Sequence, residues 1–258
     1  MASSEGLFNL QGRIAFVSGA SSGLGLHLAG VLARAGASVA LAARRRDKIE
    51  AATAELVAQG HRACSVYLDV TKAETIAPAF DAAEQALGGT VDVLLNNAGT
   101  LVLKKFLDQD TAEVDQIFDT NLRGAFLVAQ EASRRMVKVK RGAIVNMASS
   151  AGLRAAGFLS SYSASKAALI SLSGVMALEL ASKGIRVNTL CPGNFETDMH
   201  QSFADSGLNE PLLKRIPQRR FGKADDLDGP LLLLVSDAGR YMTGAVLSVD
   251  GGQALSWM

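Results

Sequence analysis

Apolar residues along this chain switch between two periods. Short apolar runs rich in β-formers fall at 14–17, 38–41, 63–68, 91–95, 143–147, 186–190 and 245–249, and each predicts a strand. Between them, residues 24–35, 46–59, 72–88, 111–138, 161–183 and 224–235 carry apolar positions at helical spacing. Seven strands alternating with helices imply βαβ units, hence an α/β fold with a parallel sheet covered by helices on both faces. No Pro/Gly/Ser linker, charge block or repeat divides the chain, so one domain over 1–258 is expected. Residues 192–223 start with Pro192-Gly193 and lose strand patterning; irregular stretches of that length are usually functional, often lids. The helix at 161–183 is rich in Ala and Ser, which suits close packing against a partner subunit or against its own sheet.

Composition narrows the class. Of 258 residues, 48% are hydrophobic and 20% charged, as in a globular protein with a sizeable core. Lys and Arg number 26 against 25 Asp and Glu, a net +1 that gives no general basic surface for nucleic acid or an anionic membrane. Cys64 and Cys191 have no metal-ligand spacing and form no disulfide scaffold, which fits a reduced cytoplasmic setting. The first residues lack a signal-peptide pattern, and the longest aliphatic run, 231–235, is far too short for a membrane helix. A soluble protein is expected.

Candidate chemistry begins at Ser18-Gly19-Ala20-Ser21-Ser22-Gly23-Leu24-Gly25, between the first strand and the first helix. A helix N-terminus offers unpaired N–H groups to phosphate, and glycines permit the tight turn and the close backbone approach. The spacing G-x-x-x-G-x-G is common in a chain with 25 glycines, so its position between strand and helix carries the argument. The second strand ends in Arg44-Arg45-Arg46 with no acid before Asp47. An acid there would bind a ribose 2′-hydroxyl, whereas Arg accommodates a 2′-phosphate; the expected cofactor is therefore NADP(H) in preference to NAD(H). Tyr162 and Lys166 stand one helical turn apart on one face. A tyrosine of ordinary pKa near 10 is brought toward working pH by a fixed neighbouring ammonium.

The glycine loop, Asn96-Asn97-Ala98-Gly99 after the fourth strand, Ser149 thirteen residues before Tyr162, the run Tyr162-Ser163-Ala164-Ser165-Lys166 and Pro192-Gly193 occur in this order. Together they resemble the short-chain dehydrogenase/reductase family over nearly the whole chain, with features similar to its 3-oxoacyl-(acyl-carrier-protein) reductases. The resemblance implies a single doubly wound Rossmann domain with a seven-stranded parallel sheet. It also implies a ketone–secondary alcohol oxidoreductase in which Tyr162 is the general acid/base and Ser149 bonds the reacting oxygen. Lys166 would lower the Tyr162 pKa and hold the nicotinamide ribose, and Asn121 would anchor a proton-relay water. For the cofactor it implies contacts from Ser18, Gly19, Ser21, Ser22, Gly23, Leu24 and Gly25, from Arg44 and Arg45, and from Asp69 and Val70 near the adenine. Asn97, Ala98 and Gly99 would line the adenosine ribose; Pro192, Gly193, Phe195 and Thr197 would lie by the nicotinamide. No metal is implied. Taken singly, Asp69 and Asn121 read equally as helix caps and Asn-Ala-Gly as a turn.

Three departures are visible. Ser18 replaces the usual Thr and keeps its hydroxyl; Phe195 replaces a branched aliphatic and either reshapes or fills the pocket wall; Asn-Met-Ala precedes Ser149. The substrate stays open. Lys214, Arg215, Arg219, Arg220 and Lys223 suit an acidic thioester carrier, yet Asp225, Asp226 and Asp228 follow them closely. A sugar, polyol, steroid or other small ketone is the alternative, and a dinucleotide-binding regulator without catalysis is the rival from another class. The family's common assembly, a homotetramer, is the expected partner arrangement.

Overall fold

The computed structural model describes residues 6–196 and 209–255. Seven strands, β1 (Ile14–Ser18), β2 (Ser38–Ala43), β3 (Ala63–Tyr67), β4 (Val93–Asn96), β5 (Gly142–Met147), β6 (Ile185–Pro192) and β7 (Val246–Val249), form one parallel sheet. Their order is β3-β2-β1-β4-β5-β6-β7. The order reverses between β1 and β4, and in such sheets the crevice beyond the carboxyl ends at that point receives ligands.

Alternation along the inner strands divides the core. Phe16, Leu94 and Ile144 belong to one apolar cluster, and their neighbours Val17, Leu95 and Val145 belong to the other. The first cluster is closed by α3 (Ile76–Leu87) and α5 (Ala125–Val139) through Phe80, Val128 and Met136, with the Phe16 and Phe80 rings stacked 4.1 Å apart. Leu28 and Leu32 of α1 (Gly23–Arg34), Ile49 of α2 (Arg46–Ala58) and a leucine-rich helix (Asp228–Val235) close the second. Helices on both faces bury the five strands from β2 to β6 in the sheet almost completely, which explains their near-continuous apolar runs, while the edge strands β3 and β7 are only partly covered.

The predicted helix at 111–138 is interrupted. Its first part, α4 (Thr111–Phe118), starts at a capping box between Asp110 and Glu113. A π turn, Asp119–Gly124, then leads into α5. Two contacts account for the turn. Asn121 is fully buried and its side chain pairs with the backbone of Thr100, accepting from the N–H and donating to the carbonyl, each at 2.8 Å. Gly124 lies so near Val70 that a Cβ would sit 2.8 Å from its carbonyl oxygen. Two further short helices, α6 (Ser150–Leu153) and α8 (Asn209–Arg215), were not expected, the second inside the irregular 192–223 stretch. Neither is long enough to display a period. The leucine-rich helix is α9. The long α7 (Ser160–Leu180), extended by one 3-10 turn to Lys183, is apolar and long enough to cross a membrane. Here it lies against β6 and α6, burying Leu169, Ser173 and Ala177.

A chain of polar side chains crosses the sheet near the carboxyl ends of its central strands. Ser18 donates to Asn96 Oδ1 (3.3 Å), Asn96 Nδ2 to Asn146 Oδ1 (3.0 Å), and Asn146 Nδ2 to Ser173 Oγ (2.8 Å), which donates to the Leu169 carbonyl (2.7 Å). All four side chains are buried and each has its partners. Asn146→Ala should cost about 1–3 kcal/mol in denaturant unfolding, because it strands buried donors and acceptors. Ser173→Ala added to that variant should cost less than Ser173→Ala alone. Strictly additive losses would disprove the coupling.

Candidate active site

The glycine loop is shaped against the end of β4. Gly19 and Gly23 have φ of +71° and +55°, the left-handed region that glycine tolerates. A Cβ on Gly19 would stand 2.8 Å from Ala98 Cα, and one on Gly25 would stand 2.4 Å from both Asn97 Nδ2 and the Gly19 carbonyl. Ser18 Oγ accepts from the N–H groups of Asn97 and Ala98 at 3.0 and 3.1 Å, locking the two loops together. A Cβ on Gly23, by contrast, would meet nothing within 4 Å. Ser22 precedes α1 without a side-chain cap, so the N-terminal amides of α1 are left to an incoming acceptor.

At the carboxyl end of β2, Arg44 and Arg45 are exposed side chains on the rim of the same cavity. Arg45 donates to Ser21 Oγ (2.7 and 3.1 Å) and to Ser22 Oγ (2.7 Å), tying this arginine to the glycine loop. Arg46 instead stacks on Tyr67, 4.6 Å from the ring centroid. Asp69 and Val70 line the cavity beyond β3; Asp69 Oδ1 also accepts from the Thr71 N–H and hydroxyl. Asp69 thus ties its own turn beside the cavity and caps no helix, the following helices starting after Lys72 and Thr75.

The cavity measures about 910 Å³ and reaches from Gly19, Ser21, Ser22, Gly23, Leu24 and Gly25, past Asn97, Ala98 and Gly99, to Ser149, Tyr162 and Lys166. Ser149 follows β5 by two residues and caps α6, its Oγ accepting from the Ala151 N–H at 3.1 Å. That turn sets the hydroxyl beside Tyr162, whose phenol it draws down in pKa. Gly152 packs so tightly on α7 that a Cβ would be 2.8 Å from the Lys166 carbonyl carbon, which accounts for the small residues after the serines. Ser150 also lines the cavity. Pro192, Gly193 and Phe195 form the wall after β6, and Phe195 is buried with its ring against Gly222; Thr197 lies outside the described residues.

The electrostatics depart from expectation at Tyr162. Burial pushes its phenol above the ordinary value, and the neighbouring Ser149 hydroxyl only partly opposes this. A lysine one turn away does not bring it down, because Lys166 donates to the Met147 carbonyl at 2.7 Å and sits 5.7 Å from the ring centroid. Burial lowers Lys166 itself to about 8. Cys191, unremarked among the site residues in the sequence, sits beside Tyr162 and Lys166 with its thiol pushed up to about 11 by burial.

Asn121 is placed differently from the rest. Its side chain serves Thr100 and Ser165 and does not line the cavity, although its neighbour Thr120 does. It comes near Lys166 at Gly99, where a Cβ would be 3.3 Å from Asn121 Oδ1 and 3.5 Å from Lys166 Nζ. Sequence reading missed Arg154, Gln253 and Ala254, which line the cavity from the loop after α6 and from the C-terminal turn. No motif marks them.

Residues 19–254 match the sequence model of a family described as enoyl-(acyl carrier protein) reductase. Gluconate 5-dehydrogenase of Gluconobacter oxydans is 36% identical over 97% of this chain and 98% of its own length. The 3-oxoacyl-(acyl-carrier-protein) reductase of Staphylococcus epidermidis is likewise 36% identical, over 92% of this chain and 97% of its own. The crystal structure of a gluconate 5-dehydrogenase from Burkholderia cenocepacia in complex with NADP and tartrate superposes with a TM-score of 0.94. It is 32% identical and the match covers 98% of this chain and all of that one. Motif order, sheet order and these likenesses agree: the chain belongs to the short-chain dehydrogenase/reductase family and is an NAD(P)-dependent oxidoreductase acting on alcohol and ketone groups.

Proposed function

We propose that the protein interconverts a ketone and a secondary alcohol with NADP(H), Tyr162 acting as general acid/base. The observation that carries this reading is that Ser149, Tyr162 and Lys166 line one cavity with an uncapped helix N-terminus. The cavity fits a dinucleotide: Gly23 leaves space before the α1 amides, and Arg44 and Arg45 bring guanidinium donors to the rim where a 2′-phosphate belongs. Gly19, Ser21, Ser22, Leu24 and Gly25 complete the pyrophosphate cradle, while Asp69, Val70, Asn97, Ala98 and Gly99 hold the adenosine end. Pro192, Gly193 and Phe195 border the nicotinamide. The bound cofactor supplies or accepts the hydride.

The chain's own residues manage the proton and the developing charge. Tyr162 gives its proton to the carbonyl oxygen in reduction and takes it back in oxidation. Ser149 donates to the same oxygen, stabilising the charge that grows there. Lys166, held by the Met147 carbonyl, keeps a positive charge beneath the phenol. Asn121 fixes the loop at Thr100 and lies beside Lys166 at Gly99, so its role is to position the proton path.

A sugar, polyol or sugar acid is the favoured substrate, in keeping with the gluconate dehydrogenases among the relatives. Reduction of a 3-oxoacyl thioester is the second reading, supported by the 3-oxoacyl reductase relatives. The basic 214–223 stretch supports it less than its sequence suggests: Arg220 is held by both oxygens of Asp226, at 2.6 and 2.9 Å, and Lys214 faces Glu210 at 3.9 Å. The chain works as one domain, in the cytoplasm and as a homotetramer. Exposed Phe106, Leu107 and Leu178, near α4 and on α7, and Tyr241 near β7 supply the apolar surfaces an assembly would cover.

Three outcomes test this reading. Tyr162→Phe should lower turnover by about 100-fold or more while NADPH still binds; full activity would remove the acid/base assignment. Paired calorimetric titrations should give tighter binding of NADPH than NADH. Arg44→Ala should weaken NADPH by roughly tenfold and leave NADH unchanged, whereas equal losses would exclude a 2′-phosphate contact. In reduction, Tyr162 must be protonated and Lys166 charged, and both hold at neutral pH. The rate should therefore fall as pH rises through about 8, where Lys166 loses its proton. Lys166→Arg should move that limb upward, and an unmoved limb would assign it to another group.

A further inference from the structure

Among the described residues, four arginines are not exposed: Arg13, Arg135, Arg154 and Arg186. Three of them are satisfied within the fold. Arg13 donates to the Asp92 carboxylate at 2.5 Å and to the Asp92 and Val235 carbonyls. Arg135 reaches Glu131, Glu84 and Asp81 at 2.7–2.8 Å. Arg186 donates to the carbonyls of Leu234, Ser236 and Met242. Arg154 has one bond, from Nη1 to the Ala254 carbonyl at 3.2 Å. A guanidinium carries five N–H donors in a fixed fork, so most of this half-buried cation is unused, and it lines the cavity.

Its setting is built. Arg154 immediately follows α6, the helix that Ser149 caps, and lines the same cavity as Ser149 and Tyr162. The carbonyl that anchors it belongs to a turn organised by Asp250, whose carboxylate accepts from the N–H groups of Gly252 (2.9 Å) and Ala254 (2.8 Å). The same turn backs Gly193, where a Cβ would be 2.7 Å from Asp250 Cβ. Arg154 is thereby braced against the wall that follows β6. Arg215 of α8 lines the same cavity. The one carboxylate among the described lining residues is Asp69, which lies beyond β3 and is bonded to Thr71.

We propose that Arg154, assisted by Arg215, binds an anionic end group of the substrate, so that the preferred substrate is a hydroxy or oxo compound ending in a carboxylate or phosphate. The inference rests on the dehydrogenase reading above and adds the specificity-determining residue. A planar fork with a pre-anchored edge offers parallel N–H bonds to two oxygens of such a group, and charge-assisted bonds of this kind are the strong ones. With one end held at Arg154, the hydroxyl-bearing carbon along the substrate is carried toward Tyr162. A neutral alcohol of the same length leaves the guanidinium unpaired and gains no such anchor.

The test uses holoenzyme saturated with NADP, so that the cofactor's phosphate sites are filled. Gluconate, sorbitol 6-phosphate and sorbitol share a six-carbon polyol chain and differ at one end, and each is titrated calorimetrically. At least one of the two anions should bind roughly tenfold or more tighter than sorbitol. Whichever does identifies the end group. Arg154→Gln keeps an amide donor for the Ala254 carbonyl but removes the charge; it should abolish that preference while NADP affinity and thermal midpoint stay near wild type. Arg154→Lys should recover part of the preference. No preference among the three ligands, as equal binding or none, overturns the proposal, as does an anion preference that survives in Arg154→Gln. Failure of the dehydrogenase reading appears separately, as absence of NADP(H) binding or as full turnover in Tyr162→Phe.

Discussion

The Ser18–Asn96–Asn146–Ser173 chain holds the site to the sheet. In a parallel sheet the strands end together, and the loops that leave that edge share no ladder hydrogen bonds with one another. Here the side chains at the ends of β1, β4 and β5 face each other in register and bond across the strands. The last link reaches α7, the helix that carries Tyr162 and Lys166. Ser18 also takes the Asn97 and Ala98 amides, so the phosphate-facing loop and the acid/base helix are referred to one buried frame. Buried polar chains are costly when incomplete and rigid when complete. This one is complete.

Burial acts in opposite directions on the two titrating groups of the site. It penalises the charged form of each, raising the phenol of Tyr162 and lowering the ammonium of Lys166. The lysine meets the Met147 carbonyl, a neutral acceptor, and no carboxylate is among the causes of its shift. Charge held this way is responsive: a change in solvent access at the cavity alters both groups at once.

Much of this was legible in the residues. Periodicity located the seven strands because fully buried parallel strands are nearly unbroken apolar runs. The ordered motifs located the cavity walls, since the loop glycines and Ser149 act through local turns. What escaped reading depends on distant partners. Asn121 departs from the cavity because it pairs with Thr100, 21 positions away, and no local pattern announces that. The Tyr162–Lys166 spacing places two side chains on one face but is silent on the carbonyl that claims the ammonium. Arg154 is distinguished only by the partners it lacks, a property with no sequence signature. The arginines of the 214–223 stretch looked like a carrier-facing patch until Asp226 was seen to grip Arg220.

The π turn at Asp119–Gly124 makes the length of this stretch a structural parameter in its own right. Each residue of an α-helix advances the chain by about 100° around the axis. Removing one residue here would close the turn as ordinary helix and rotate all of α5 relative to α4. Val128, Ala132 and Met136 would swing off the sheet and Asn121 would leave Thr100. The number of residues between Thr111 and Val139 is therefore constrained as tightly as their identities. Chains that share this site should vary in length at surface loops and keep a constant count through this helix.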